Sequence, residues 1–228
     1  MSRLILSILF ISTFAACNNE EIASSKDVNP ESVFLDYNFT GSEETGQATL
    51  KMQYRFGGIS GTTLVLESPS EVKLDGQVIP VDSSGSDGAY YEVTRPATEF
   101  AGKHQVSFTG FDGKQYTDTV DFSIFTLAGG LADSIGREEL TLQLEGLAAE
   151  EAIQLVMTDT VRFSKGIERW DTIRNGKLVI GKEDLDLLKD GPVNLELIRQ
   201  KNVRLKNTPK EGGRVHYSYN IHRELYIR

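Results

Sequence analysis

The sequence predicts an all-β protein with two tandem antiparallel β-sandwich domains that follow a signal peptide and a flexible tether. Apolar and polar residues alternate with a period of two in many short stretches, which is typical of strands with one buried and one solvated face. Turn-forming pairs separate several of these stretches, at Asp75-Gly76, Asp112-Gly113 and Asn175-Gly176. Only residues 183–189 show helical spacing.

The first folded region begins with two alternating stretches. Apolar residues recur at every second position from Val33 to Phe39 and again from Ala48 to Phe56. Thr62, Leu64 and Leu66 continue the pattern. These stretches predict three strands of a sandwich whose outer faces are in solvent.

Two hairpins complete the first region. Asp75-Gly76 lies between apolar stretches at 72–74 and 78–81, and Pro96 ends a strand around Tyr91. The segment 101–108, followed by Asp112-Gly113-Lys114 and Tyr116, resembles the closing hairpin of immunoglobulin-like modules in bacterial surface proteins. The resemblance implies that architecture, although the cysteine pair of antibody domains is absent.

A glycine-containing segment divides the folded part. Residues 127–138 hold Gly129-Gly130 and Gly136 among small and polar residues, which is typical of a linker. We therefore expect β-sandwich domains at 33–126 and 139–228, joined by a linker at 127–138.

The second region has the same style of patterning. We expect strands around residues 140–144, 153–157, 161–163, 178–180 and 193–197, and a helical turn at 183–189 that Gly191-Pro192 ends. The last strand runs from Val215 to Ile227, where Arg223 interrupts the apolar phase. This interruption predicts a bend or bulge at Arg223.

The amino terminus has the three parts of a secretory signal. Met1-Ser2-Arg3 is positive, residues 4–14 are largely apolar, and small residues precede Cys17, the only cysteine. The apolar stretch is shorter than the roughly 20 residues that span a bilayer. The segment Phe14-Ala15-Ala16-Cys17 resembles the bacterial lipoprotein signal, with Phe14 in place of the commoner leucine. The resemblance implies that residues 1–16 are removed and that Cys17 is acylated. The alternative is an ordinary signal peptide that ends near a cysteine.

The residues after Cys17 suggest a location. Asn18-Asn19-Glu20-Glu21 resembles the short acidic export signal of surface lipoproteins in Bacteroidetes-type bacteria, which implies the outer membrane and leaves the periplasmic or cell-surface leaflet open. Residues 17–32 have no apolar period, so we expect them to form the acylated cysteine and a flexible tether with a span of roughly 20 Å.

The net charge limits the partners. Without residues 1–16, whose single charge is Arg3, the chain has 23 basic and 33 acidic residues and a formal charge of −10. Such a surface repels nucleic acid and anionic headgroups. We therefore expect no nucleic-acid partner, and membrane attachment through the amino-terminal lipid alone.

The sequence favours neither a metal site nor a cofactor. His104, His216 and His222 are scattered, which makes a zinc site improbable. Asp82 and Asp87 frame a serine-rich loop, but their spacing fits no established calcium motif. No nucleophile elbow, phosphate-binding loop or dinucleotide fingerprint occurs.

Two aromatic residues are candidate ligand contacts. Trp170, the only tryptophan, lies in a polar stretch at 164–176 that we interpret as a loop, and Tyr90 faces opposite to Tyr91. Exposed aromatic residues suit carbohydrate or protein recognition. For Trp170 the alternative is that it folds back over the end of the sandwich. Tyr217 and Tyr219 share the apolar phase of their strand, so we expect them in the core.

Four triplets read Asp, hydroxyl residue, aliphatic residue, with the hydroxyl at Thr119, Ser134, Thr160 and Thr172. They resemble the O-glycosylation sequon of the same bacterial group, which implies glycans at these positions. Strand alternation explains the pattern equally well, because it favours threonine beside aliphatic residues.

These observations predict a lipid-anchored cell-envelope protein that binds or scaffolds a protein partner at the outer membrane. The alternative is a glycan-binding surface lipoprotein of a polysaccharide-uptake system, and a second alternative is a hydrolase whose site is built from loops. We expect no enzyme activity.

Overall fold

The computed structural model describes residues 21–162 and 164–228. The predicted signal peptide at 1–16, the acylation of Cys17 and the acidic signal up to Glu20 lie outside the described residues. Among the described residues, no helix has both the length and the apolar character needed to cross a bilayer.

Short strands account for most of the structure. Residues 21–122 of the described part form ten of them: β1 (Ile22–Ser24), β2 (Val33–Ser42), β3 (Gln47–Phe56), β4 (Thr62–Val65), β5 (Glu71–Leu74), β6 (Gln77–Val78), β7 (Val81–Ser84), β8 (Gly88–Pro96), β9 (Gly102–Thr109) and β10 (Gln115–Phe122).

The described residues after 122 add eight strands and one helical turn. They are β11 (Thr126–Ala128), β12 (Ser134–Ile135), β13 (Leu140–Glu145), β14 (Ala152–Asp159), β15 (Ile167–Thr172), β16 (Lys177–Ile180), α1 (Lys182–Leu185), β17 (Gly191–Arg204) and β18 (Gly213–Ile227). The helical turn predicted at 183–189 is confirmed, and further turn hydrogen bonds extend it to Leu188.

The strands form three sheets, so the predicted all-β sandwich fold is confirmed. The large sheet has 11 strands and the path β1-β4-β3-β2-β18-β17-β14-β15, with β8 and β7 beyond β3 and β12 on β18. A 4-stranded sheet, β10-β9-β5-β6, and a 3-stranded sheet, β11-β13-β16, complete the fold. Most pairs are antiparallel, as expected, but β1 on β4, β12 on β18 and β18 on β2 are parallel.

Aromatic packing joins the large sheet to the 4-stranded sheet. Phe39 of β2 stacks on Phe122 of β10 with ring centroids 4.2 Å apart, and Tyr54 of β3 stacks on Phe108 of β9 at 4.6 Å. All four side chains are buried. Gly41 permits the close approach, because a Cβ there would lie 2.9 Å from the Phe122 ring. The inward phase predicted for β2 and β3 is confirmed.

The hairpin of β17 and β18 connects the two regions. Its register is uninterrupted from Gly191 opposite Ile227 to Arg204 opposite Arg214. Near the turn, residues 213–220 of β18 pair with β2. Far from the turn, residues 193–198 of β17 pair with β14. Strand β18 therefore belongs to both regions, and one sheet runs through them. The division at 127–138 stays a prediction; that segment itself contributes to β11 and β12.

The bulge predicted at Arg223 is wrong. Arg223 lies directly opposite Leu195 in an unbroken ladder. Its guanidinium donates to the Glu43 carboxylate and to the His222 carbonyl, so the charge is neutralised without a change of register. A paired arginine can occupy an apolar phase at low cost.

The predicted tether needs correction at residues 22–32. Strand β1 pairs with β4, and two 3₁₀ turns follow at Ser25–Asp27 and Pro30–Ser32. Ser25 is buried, and its hydroxyl accepts a hydrogen bond from the Glu67 amide at 2.9 Å. Backbone pairing and polar contacts hold this segment in place. An apolar period therefore does not indicate its structure in the sequence.

The predicted strand at 161–163 and the predicted loop at 164–176 also need correction. Val161 lies in a bend and is exposed, and Phe163 lies outside the described residues. The strand is β15 instead, which pairs with β14 at the edge of the large sheet. Its inward positions are Ile167, Arg169 and Asp171. Only Ile167 among them is apolar, so the sequence shows no alternation of apolar and polar residues here.

Candidate binding surfaces

Two adjacent rows of outward-facing side chains cross the outer face of the large sheet without a single charge. We call these rows the uncharged band. Strand register places each member opposite its neighbour on the next strand. One row is Thr94, Thr49, Thr40, Ser218 and Gln200, and the other is Pro96, Gln47, Ser42, Asn220, Ile198, Gln154 and Trp170.

The absence of charge distinguishes this band from its surroundings. A quarter of all residues in the chain are charged. Glu196 and His222 lie in the next row on one side of the band, and Lys51 and Glu92 lie in the next row on the other side. The band is therefore a neutral strip bordered by charged rows.

The middle of the band is a shallow depression of about 430 Å³. Thr40, Ser42, Gln47, Gln200 and Asn220 line it. Hydroxyl and amide side chains both donate and accept hydrogen bonds. The depression can therefore satisfy a ligand that carries hydroxyl groups and has no charge.

Trp170 ends one row of the band. It lies in β15 opposite Gln154, and 53% of its surface is exposed. It does not fold over the end of the sandwich, because its side chain belongs to the outward phase of an edge strand. Beside it, an open cleft of about 560 Å³ contains Arg174, Lys177 and the exposed Val179.

Arg169, on the opposite face of β15, fixes the strand that carries Trp170. Its guanidinium donates to Asp171 at 2.7 Å, to the Val179 carbonyl at 3.0 Å, and to Asp184. Partial burial lowers the pKa of Arg169, but the two carboxylates more than offset this and hold its pKa above the usual value. The arginine thus clamps the edges of two sheets to α1.

The structure does not bring the second predicted aromatic residue to the same place. Tyr90 lies in β8, at the other side of the large sheet from β15. It is half-buried, and the Lys51 ammonium lies 4.0 Å from its ring centroid. Trp170 and Tyr90 therefore do not form one platform.

The tyrosines predicted to lie in the core do so. Tyr217 and Tyr219 are 7% and 3% exposed, and the Tyr217 hydroxyl accepts a hydrogen bond from the Asp121 amide at 3.0 Å. Their position on the inner face of β18 confirms the prediction.

Each histidine has a different polar neighbour. His104 lies 2.8 Å from Asp75, His216 lies 3.0 Å from Asn202, and His222 lies 3.3 Å from Asn194. The described part of the chain has no group of three or more His, Asp or Glu side chains placed to hold a metal ion.

The serine-rich hairpin formed by β7 and β8 uses its acidic residues locally. Asp87 accepts from the Lys51 ammonium at 2.9 Å and from the Ser84 hydroxyl at 3.1 Å. The Lys51 hydrogen bond, and then that of Ser84, lower the pKa of Asp87. Asp82 accepts from the Ser83 amide at 2.7 Å. These contacts give both carboxylates a structural role.

Three of the four candidate glycosylation residues are accessible. Thr119, Thr160 and Thr172 are exposed, whereas Ser134 is half-buried in β12. The preceding aspartates have structural contacts of their own: Asp118 accepts from the Lys206 and Asn207 amides, and Asp159 from the Val161 and Lys189 amides. Glycosylation at these positions stays a prediction.

Two features of the surface were not predicted from the sequence. The first is the uncharged band, which brings together seven strands whose order in the sheet no local pattern predicts. The second is the basic segment 199–214, which the composition could have indicated, because it holds six basic residues and one acidic residue in an acidic chain.

Comparisons with known proteins give no family. No family model matches the chain, and no curated protein matches it. Among solved structures, the chain is similar to a 1.5-MDa bacterial ice-binding adhesin studied for its retention at the host cell surface, with 12% identity and a TM-score of 0.27. That match covers 87% of this chain and 66% of the adhesin chain, slightly under two thirds of its length.

Two further structures are similar at the same level. One is SGBP-B of the Bacteroides ovatus mixed-linkage glucan utilization locus, in complex with a mixed-linkage heptasaccharide, with 14% identity over 99% of this chain and 70% of that chain and a TM-score of 0.20. The other is the fibronectin(III)-like modules of Clostridium thermocellum CbhA, with 9% identity over 85% and 91% and a TM-score of 0.22. TM-scores this low establish no functional relationship.

Proposed function

We propose that the protein is a lipid-anchored binding module of the cell envelope, and that the uncharged band is its ligand-binding face. The observation that carries the proposal is the continuous row of neutral side chains that ends at Trp170. A hydrolase has no observation in its favour among the described residues, so we propose binding rather than catalysis.

The ligand that the band fits best is a neutral glycan chain. Seven strands at about 4.8 Å spacing give the longer row a path of about 29 Å, measured along the sheet surface. Glycan hydroxyls match hydroxyl and amide side chains, and the exposed indole of Trp170 offers a stacking surface for a sugar ring. Binding through many weak contacts to an extended chain suits such a surface.

A protein partner is the second candidate, and a different observation favours it. Strands β15 and β16 each end the path of their sheet, so each has an edge without a neighbouring strand, although the Val179 carbonyl of β16 already accepts from Arg169. The exposed Trp170 and Val179 lie on these edges. Open edges can add a strand from a partner, and exposed aromatic residues supply contact area.

The ligand proposal is tested by a charge placed in the band. Asn220→Lys puts an ammonium in the depression, and Thr158→Lys, at an exposed position outside the band on the same large sheet, is the matched control. The probe is a panel of neutral polysaccharides in affinity gel electrophoresis. We expect retardation of the wild type and the Thr158 variant and at least a tenfold weaker effect for Asn220→Lys.

Equal behaviour of both variants would remove the band as a glycan site. If no polysaccharide retards the wild type while crosslinking on intact cells yields a membrane protein bonded near Trp170, the protein-partner candidate replaces the glycan. Trp170→Ala should then abolish the crosslink.

The anchor is tested separately. We expect the wild type to fractionate with membranes and to carry acyl chains on residue 17, and Cys17→Ser to abolish the modification. Several acyl chains, at about 0.8 kcal/mol per buried methylene, give stable anchoring. Intact mass measurement of the purified protein decides the point.

A further inference from the structure

One end of the first sandwich receives the chain from its amino terminus. Strand β1 begins beside β4, where the Glu21 carbonyl accepts a hydrogen bond from the Thr63 amide at 3.2 Å. Thr62 lies opposite Phe56, and Phe56 lies opposite Val33. We call this the basal end; it comprises β1, the start of β2 and the loop between β3 and β4.

Two other connections lie at the same end. Lys114, in the turn between β9 and β10, donates to Glu31 at 3.0 Å, and the Lys210 amide, in the turn of the β17–β18 hairpin, donates to Glu31 at 3.3 Å. Glu31 therefore joins both turns to the segment that precedes β2.

The basal end exposes large apolar side chains. Ile22, Phe56, Ile59 and Phe111 are 48%, 41%, 42% and 38% exposed. Ile59 also lines a groove of about 650 Å³ together with Phe34 and Arg204. Exposed apolar residues grouped at one end, and not scattered singly, indicate a contact surface.

Basic side chains surround these apolar residues. Segment 200–214 carries five basic residues and one acidic residue, although the whole chain has a formal charge of −9. Within the described residues, Lys201, Arg204, Lys206 and Lys210 form no ion pair.

The acidic groups at this end are partly engaged. Asp36 accepts from Arg214 at 2.8 Å, and Glu31 pairs with Lys114. Glu21, Asp112, Asp118 and Glu211 also lie here, and Asp118 accepts from the Lys206 amide at 2.8 Å. Arg204, Lys206 and Lys210 take part in neither of the two ion pairs, so this end still offers cations to anionic headgroups in spite of the net charge of the chain.

The length of chain before the described residues places this end near the proposed anchor. Four residue steps separate Cys17 from Glu21, which span at most about 14 Å. At the other end, β17 extends over 14 residues, or about 45 Å, away from the hairpin turn. If Cys17 is acylated, the basal end is the part of the molecule closest to the lipid.

We propose that the basal end is a membrane-contact surface that binds a phosphate-bearing lipid surface and holds the molecule upright, with the second sandwich outermost. This inference depends on the proposed acylation of Cys17. Ile22, Phe56, Ile59 and Phe111 insert between headgroups, while Arg204, Lys206 and Lys210 contact lipid phosphates.

The test uses the full mature lipoprotein in vesicles with a fluorophore at a single introduced cysteine. The native thiol is acylated, so only the introduced one reacts. Ile59→Cys reports the basal end. Leu187→Cys is the matched control, because Leu187 is exposed beside α1, at the end of the hairpin that is far from its turn. Vesicles contain phosphatidylcholine alone or with phosphatidylglycerol, and some lipids carry a headgroup quencher.

We expect strong quenching at residue 59, little at residue 187, and more quenching at 59 when phosphatidylglycerol is present. The triple variant Arg204→Glu, Lys206→Glu, Lys210→Glu should lose this dependence on phosphatidylglycerol, as should the wild type in high salt. The variant Lys177→Glu, which reverses a charge in the second sandwich, should keep the dependence of quenching on phosphatidylglycerol.

Two results would overturn the inference, and they differ. If the protein floats with the vesicles but both labels are quenched equally, the contact surface is wrong and the anchor stands. If the protein does not float and residue 17 carries no acyl chain, the anchor fails and the contact surface fails with it.

Discussion

The cores of the two regions differ in chemistry. Buried aromatic rings dominate the first, with Phe39, Tyr54, Phe108 and Phe122 in direct ring contact between the sheets. In the second, every buried apolar side chain among the described residues from 139 to 204 is aliphatic or methionine. Rings impose preferred contact geometries, whereas aliphatic chains adapt to one another more freely. We therefore expect the first region to be the more specific in its packing.

The two cores are not independent, because the β17–β18 hairpin has one half in each. Arg199 lies near its middle with 6% exposure. It donates to the Ser123 carbonyl and hydroxyl, after β10, and lies 3.7 Å from Glu151, before β14. Burial lowers the pKa of Arg199, more than Glu151 raises it. The two cores, although they differ in chemistry, are therefore coupled by a shared hairpin and one buried cation.

The largest expected effects on the free energy of unfolding come from cavities in the aromatic core and in the aliphatic core. Phe122→Ala should lower the free energy of unfolding by about 4 kcal/mol and Leu155→Ala by about 3 kcal/mol, because each leaves a cavity among buried side chains. Urea unfolding is followed by fluorescence of Trp170, in the second region, and by near-ultraviolet circular dichroism of the tyrosines, mostly in the first.

If the hairpin couples the regions, both probes shift together in both variants. A Phe122→Ala protein whose Trp170 transition stays at the wild-type midpoint would show that the regions unfold separately.

Removal of the buried cation should have the next largest effect. Arg199→Met keeps the volume of the side chain but leaves Glu151 and the Ser123 carbonyl without their partner, which should cost about 3 kcal/mol. Lys201→Met, two residues away and exposed, is the control and should change stability by less than about 0.5 kcal/mol. Equal urea midpoints for the two variants would contradict the role of Arg199.

Alkaline pH should weaken the aromatic region. Burial raises the pKa of Tyr91 to about 12, despite the hydrogen bond that its hydroxyl accepts from the Leu66 amide at 2.7 Å. The unfolded chain loses this proton near pH 10, so the contribution of Tyr91 is complete below pH 10 and is lost as pH rises toward 12. We expect a loss of about 1.4 kcal/mol from this residue per pH unit in that window.

The measurement is the urea midpoint from pH 9 to about pH 11, compared with Tyr91→Phe. The variant should show a shallower decline. Parallel curves would mean that Tyr91 does not titrate differently in the folded state.

The smallest effect on stability is expected at the exposed indole. Trp170→Ala should change the free energy of unfolding by less than about 0.5 kcal/mol, because more than half of the side chain is already in water. Its effect on ligand retardation in affinity electrophoresis should be large by comparison. A loss of stability above 1 kcal/mol in urea unfolding would assign Trp170 to the structure and not to binding.

The sequence allowed better prediction of the first region than of the second. Alternation in β2 and β3 is unbroken on the inner face, and the positive φ angles of Asp75 and Gly76 follow from the turn that the pair favours. Strand β15 was missed because Arg169 and Asp171 occupy its inward positions as an ion pair. Residues 22–32 were missed because polar contacts hold them.

The candidate site was predictable only as a single residue. Trp170 was identified as an unexplained aromatic, but the other members of the band come from strands as far as 130 positions away in the chain, where Thr40 lies. Strand order depends on pairing between distant segments, above all β18 on β2, which local periodicity does not encode.

The parallel pairing of β18 with β2 has a consequence for how the protein acquires its fold. Asp36 and Arg214, which join these strands, lie 178 positions apart in the chain. Until the later strand arrives, β2 has an open edge beside Leu35, Tyr37 and Phe39, and closure over such a distance is slow. The sheet therefore stays incomplete until the last strand forms, and during that interval the unfinished edge of β2 is open to pairing with other chains.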